Sequence, residues 1–146
     1  MKDKLKNCGK LLILFILGGL IYMGMEMLFR GRTHWTMGIV GGICFLIIGG
    51  LNNYYTWDMS IIKQGVIGSL VITAMELVTG IILNLFLKLN IWDYSTMPFN
   101  ILGQICLPFT LLWIPVSIFG VFVDDFLRWL LFKEPFPHYR LFSKKD

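Results

Sequence analysis

Four apolar runs set the terms on which this chain can fold. A hydrocarbon core of about 30 Å takes roughly 20 apolar residues at about 1.5 Å each, and residues 11–29, 37–51, 61–87 and 99–123 supply four such runs. Inside a bilayer the backbone N–H and C=O groups have no water to turn to, so a run of this kind must bond to itself as a helix. Hydrophobic residues make up 56% of the chain against 15% charged, and mean hydropathy is +0.71, which leaves too little polar surface for a water-soluble domain. The expectation is an all-α integral membrane protein, one domain over residues 1–146, with four transmembrane helices.

The runs differ in kind. The second is short and rich in glycine (Gly38, Gly41, Gly42, Gly49, Gly50), flanked by Trp35 on one side and Tyr54, Tyr55 and Trp57 on the other. Aromatic residues of that sort favour the interface, and glycines let helices approach closely where lipid supplies no hydrophobic drive. Pro108 and Pro115 predict a kink in the fourth run. Beyond it, residues 124–146 are acidic, then basic and aromatic, and are read as an amphipathic helix lying along the membrane surface. Basic residues favour the cytoplasmic side. With four crossings and a cytoplasmic N-terminus, only Arg30, Arg32 and Lys88 of the 13 basic residues fall outside. Both termini are therefore placed in the cytoplasm, at a plasma membrane, with the first run retained as an anchor. The net charge of +4 then faces anionic lipid rather than nucleic acid. Three cysteines give no disulfide framework.

A duplicated cassette organises the runs. Met25-Glu26, Trp35, Thr36-Met37 and Gly41-Gly42-Ile43-Cys44 are followed in the same order by Met75-Glu76, Trp92, Thr96-Met97 and Gly103-Gln104-Ile105-Cys106. Each copy holds two crossings, so the reading is two hairpin repeats of parallel topology, residues 11–53 and 61–123, related by an axis along the membrane normal. Glu26 lies fifteen positions past Leu11 and Glu76 fifteen past Ile61. Both acids would then sit about 22 Å along their helices and face each other.

A carboxylate in hydrocarbon costs about 2.5–3.5 kcal/mol on the insertion scale, so it needs a partner or a proton. Arg30 follows Glu26 at the favourable four-residue spacing, with Arg32 beyond it. Position 80 is glycine, so Glu76 must be protonated, bind a cation, or pair across the bundle with Arg30, Arg32 or His34. Asp93, Tyr94 and Asn100 would form the outer wall of the same polar pocket, and Asn84, Gln104 and Thr79 would line it further in. Each of these also has a purely structural reading, as a turn cap or as interhelical glue. His34 and His138 stand alone, with no metal-ligand spacing, no catalytic triad and no implied cofactor. The Asp124-Asp125 pair beside Arg128 reads as an interfacial charge cluster.

Glu76 with Thr79-Gly80, Asn84, Trp92-Asp93-Tyr94-Ser95, Pro98, Asn100 and Gly103 resembles the CmpB-like family, described as ABC transporter type IV. Gly24, Glu26, Gly38 and Gly41-Gly42 look like that family's N-terminal half, although Thr36-Met37-Gly38 replaces its usual Gly-Pro-rich start of the second helix. The resemblance, over residues 21–113, implies a small multi-pass membrane protein involved in transport. No Gly-x-x-x-x-Gly-Lys-Ser/Thr loop is present, so an ATPase would be a separate chain. The one inner connection, residues 52–60, is short for docking it.

Three functions stay open on the sequence. One is a transporter-like or channel-like permease component, with the glutamates facing a site for a small cation, proton or solute. Another is a membrane assembly partner in which the glutamates are structural locks. The third is an integral-membrane enzyme acting on lipid. Four helices are few for a complete carrier, which favours a homodimer or a larger complex.

Overall fold

A computed structural model describes residues 1–51 and 60–135. Among them are four helices: α1 (Lys2–Arg30), α2 (Trp35–Gly49), α3 (Ile61–Gly80), which runs on into a π-helical segment (Ile81–Phe86), and α4 (Leu107–Phe132). Local chemistry sets the ends. Gly31 stops α1 in the left-handed region, φ 73°, and donates its N–H to the Met27 carbonyl. His34 Nδ1 accepts from the Thr36 N–H at the start of α2, and Ser60 Oγ from the Lys63 N–H at the start of α3. Proline opens α4 in its first turn, and Pro115 removes one hydrogen bond from its interior.

Three of these helices, α1, α3 with its π-helical extension, and α4, are long and apolar enough to cross a membrane. At 15 residues α2 covers about 22 Å. Leu12, Leu20, Leu70, Leu111 and Phe119 stand exposed along the helices, which suits lipid as the surrounding solvent. The protein is an integral membrane protein.

Small residues bring the helices together. The helices pack as two hairpins, α1 on α2 and α3 on α4, with α2 also touching α3 and α4, while α1 and α4 scarcely meet. Between α1 and α2, Gly19 lies against the Gly38 backbone, Gly41 against Tyr22 and Gly42 against Phe15. Between α3 and α4, Gly65 faces Ile118, Gly68 faces Ser117, and Ser69 Oγ donates to the Thr110 carbonyl. Two apolar clusters result: Met37, Leu83, Ile91 and Trp92 near the long loop, and Cys44, Ile48, Ile61 and Val121 nearer the other end.

That other end holds a buried charge network. Asp124 is fully buried against Gly49 and receives Arg128 Nε at 2.9 Å. Arg128 reaches Glu134 at 3.7 Å, and Glu134 reaches Lys10 at 3.8 Å. The start of α1 and the end of α4 therefore lie at the same end of the bundle.

The boundaries correct the sequence in three places. Residues 99–106, expected to open the fourth span, form turns and a single bridge between Ile101 and Ile105, and the helix begins at Leu107. In the first copy Thr36 to Ile43 lies inside α2, whereas Thr96 to Ile105 lies wholly in the loop, so Cys106 precedes its helix while Cys44 lies within one. Pro108 is the reason: it is strain-free only in the first turn of a helix. No surface helix begins at residue 124, because α4 continues through Asp124 and Asp125, which its apolar neighbours and the Arg128 pair keep in register. Tyr54, Tyr55, Trp57 and the inner connection at 52–59, together with the amphipathic segment at 136–146, lie outside the described residues.

Candidate functional site

One turn before α1 ends, Glu26 is only 6% exposed. Its spacing to Arg30 works as the sequence suggests: Arg30 Nη1 lies 3.5 Å from Glu26 Oε2. The same guanidinium donates through Nη2 to the Ile91 carbonyl at 2.9 Å, and Arg32 donates to that carbonyl at 3.3 Å. Arg30 thus ties the end of α1 to the long loop.

Glu76, well inside the helical run Ile61–Phe86 rather than at its end, is equally buried at 6%. Its polar neighbours are Tyr94, whose hydroxyl lies 3.5 Å from Oε1, and the indole N–H of Trp113. Among the described residues no Lys or Arg nitrogen is within ion-pair distance of it. The two carboxylates are near enough to act on each other, with Arg30 acting on both and Tyr22 lying in the field of both.

The acids nevertheless face different spaces. Glu26 lines a polar vestibule with Arg30, Arg32, Thr33, His34 and the segment Leu89, Asn90 and Ile91, about 470 Å³ with its open mouth included. Glu76 lines an apolar cleft of about 770 Å³, again counting the mouth, walled by α1, α2 and α4. Glu26 Oε1 is buried with no hydrogen-bond partner. So is the indole N–H of Trp113, which also lines the cleft.

Most of the polar loop residues hold the loop rather than line a pocket. Asn84 Nδ2 donates to Gln104 Oε1 at 2.8 Å, and Asn84 Oδ1 accepts from the Ile91 N–H at 2.7 Å. The wider π-helical turn carries Asn84, and Gly80 leaves the room that Gln104 occupies. Gln104 also accepts the Trp92 indole N–H on its carbonyl at 3.0 Å and donates to the Leu102 carbonyl. Asn100 bonds the Ser95 and Met97 carbonyls and the Gly103 N–H. Asp93 is exposed and accepts the Ser95 N–H at 2.8 Å, so its carboxyl is held below the usual carboxylate range by that backbone bond and by the Ser95 side chain. Of the expected outer wall, only Tyr94 reaches a glutamate; it is stacked on Phe109 with ring centroids 4.7 Å apart.

Sequence reasoning gave no site role to Tyr22, Trp113 and Ser117, and used Trp92 only as a landmark of the repeat and of the family motif. A signal for part of this set was present: Trp113, Ser117, Gly120 and Asp124 recur at four, three and four residues, which is one face of α4. Among the described residues no group of His, Cys, Asp and Glu could hold a metal ion.

The family described as “Putative ABC-transporter type IV” has a model that matches residues 15–135. The match runs from the middle of α1 past the end of α4 and takes in both glutamates and both cavities. No curated protein and no solved structure matches the chain.

Proposed function

The chain belongs to the CmpB family of ABC-transporter type IV proteins, and on that premise we propose that it is a transport component with an intramembrane site at Glu76 for a small cation, a proton or a solute carrying positive charge. One observation carries this reading: Glu76 is buried in a membrane-crossing helix, beside a second carboxylate, with no cationic side chain against it among the described residues. A carboxylate so placed needs a proton or an external cation to be stable. Tyr94 and Trp113 stand by to orient what arrives.

Glu26 supports a second role within the same protein. Its pair with Arg30, and the bond from Arg30 to Ile91, favour a structural lock that holds the loop over the site. The α1–α2 and α3–α4 hairpins are too few helices for complete alternating access, so the working unit is a homodimer or larger assembly in the plasma membrane with both termini cytoplasmic. ATP hydrolysis, where it drives the cycle, belongs to a separate chain.

Reconstitution tests the assignment. Proteoliposomes with a trapped pH dye or a cation indicator should show a flux that Glu76→Gln lowers at least tenfold while thermal unfolding stays near wild type. Wild-type flux from a fully folded Glu76→Gln protein would remove Glu76 from the transport site.

A further inference from the structure

The cleft at Glu76 has the shape of a slot. Its α2 wall runs from Met37 to Ile48, eleven residues or about 16 Å along the helix. Glu76, Trp92 and Trp113 stand at one end, and Ile48 and Val123 near the other. It lies where α1 and α4 diverge, and two of its lining residues, Ile21 and Phe119, are exposed apolar side chains on those two helices. The mouth therefore opens sideways, toward lipid.

The polar end is specific in its chemistry. Glu76 supplies negative charge without a cationic partner among the described residues. Tyr22, Trp92 and Trp113 line the same cleft, with the Tyr22 and Trp113 rings 6.4 Å apart, and aromatic faces attract a cation. Trp113, 8% exposed, turns its indole N–H toward the Glu76 carboxylate without closing a normal hydrogen bond, and Ser117, 1% exposed, has a hydroxyl with no partner. Both line the cleft. Buried polar atoms left unpaired are costly and mark what is missing. An occupant suited to that end would carry a positive charge for Glu76 and a hydroxyl for Ser117.

We infer that the cleft binds a single-chain amphiphile with a cationic amino-alcohol head, taken in sideways from the bilayer, with its tail along the slot and its head at Glu76. The inference rests on the transport reading of Glu76 and names its substrate class. A narrow slot of one chain's length excludes bulky two-chain lipids, and the carboxylate excludes anionic heads.

Equilibrium dialysis of radiolabelled N-decylethanolamine against the full chain in nanodiscs, with empty nanodiscs subtracted, tests this directly. Saturable binding is expected, with chain-matched decyl sulfate failing to bind. Glu76→Gln should weaken binding at least tenfold. Gly120→Leu should do the same by filling the slot, since a Cβ at Gly120 meets no atom within 4 Å and the variant has room to fold. Trp113→Phe, which removes the donor together with one ring of the indole, should weaken it about threefold. Absence of saturable binding, equal binding of the sulfate, or full binding by a folded Gly120→Leu protein would overturn the proposal. Proton or cation flux that persists while this ligand fails to bind would remove the amphiphile alone, and binding without any flux would uphold the cleft and remove the transport reading.

Discussion

Glu26 and Glu76 occupy the same place in a duplicated cassette, are buried to the same degree, and end in different chemistry. Glu26 stands four residues before its helix ends, so the next residue on its face is Arg30, close enough to the helix end for the guanidinium to reach both the acid and the loop carbonyl of Ile91. Glu76 stands ten residues before Phe86, and the matching position is Gly80, whose missing side chain leaves room for Gln104. The two acids thus differ in the residue one turn later: arginine pairs with Glu26, while Gly80 gives Glu76 no basic neighbour on its own helix face. The comparison teaches that equal burial does not mean equal role.

Removing the cation from the first copy should break this contrast most sharply. Arg30→Met strands Glu26 and leaves the Ile91 carbonyl only its longer bond from Arg32. A fully buried pair loses about 3–5 kcal/mol when one partner goes. Arg30 keeps 35% side-chain exposure, so water softens the loss to about 2–3 kcal/mol. Glu76→Gln removes no ion pair and preserves shape, so its cost should stay under about 1 kcal/mol. Unfolding of both variants in the same nanodiscs checks the order. Equal losses would mean that Glu76 is as much a lock as Glu26.

The second copy replaces the ion pair with neutral bonds, and Asn84 is their hub. Asn84→Ala takes away the donor to Gln104 Oε1 and the acceptor for the Ile91 N–H, at about 1–3 kcal/mol. Gln104→Ala should couple to it strongly in a double-mutant cycle, because the two share one bond. Independent, additive losses would show that the loop is held by packing of Trp92 and Ile91 instead.

How far these differences could be read from the chain depends on the residue. The Glu26–Arg30 pair was legible because four-residue spacing on a helix is a short-range rule that lipid does not alter. The helices were legible from apolar length alone, and the start of α4 was not. Repeat symmetry argued for a helix from Phe99, while Pro108 argued for one beginning beside it, and proline chemistry prevailed. The separate cavities were not legible, because they depend on how α1 and α4 diverge, which no pattern within either helix encodes. The polar face of α4 at Trp113 and Ser117 was present in the spacing, hidden by the surrounding aromatic and aliphatic residues that any membrane helix carries. Asn84, Asn100 and Gln104 were visible as polar residues near the membrane, but spacing could not tell a loop brace from a pocket wall.

The smallest effect lies at the two turns that follow the glutamates. In the first copy His34 Nδ1 accepts the N–H two residues on, from Thr36, and in the second Asp93 accepts the N–H two residues on, from Ser95. The second turn is built on a carboxyl, which is held below its ordinary value by the bonds from Ser95. A depressed carboxyl contributes stability above the unfolded value, about pH 3.9, and loses it as pH falls through the folded value. Asp93→Asn keeps an acceptor oxygen and removes that acid-sensitive contribution. At neutral pH the variant should melt slightly below wild type, and the gap should close as pH falls through about 4. A gap that stayed constant into acid would assign Asp93 a role through shape rather than charge, like the imidazole turn of the first copy.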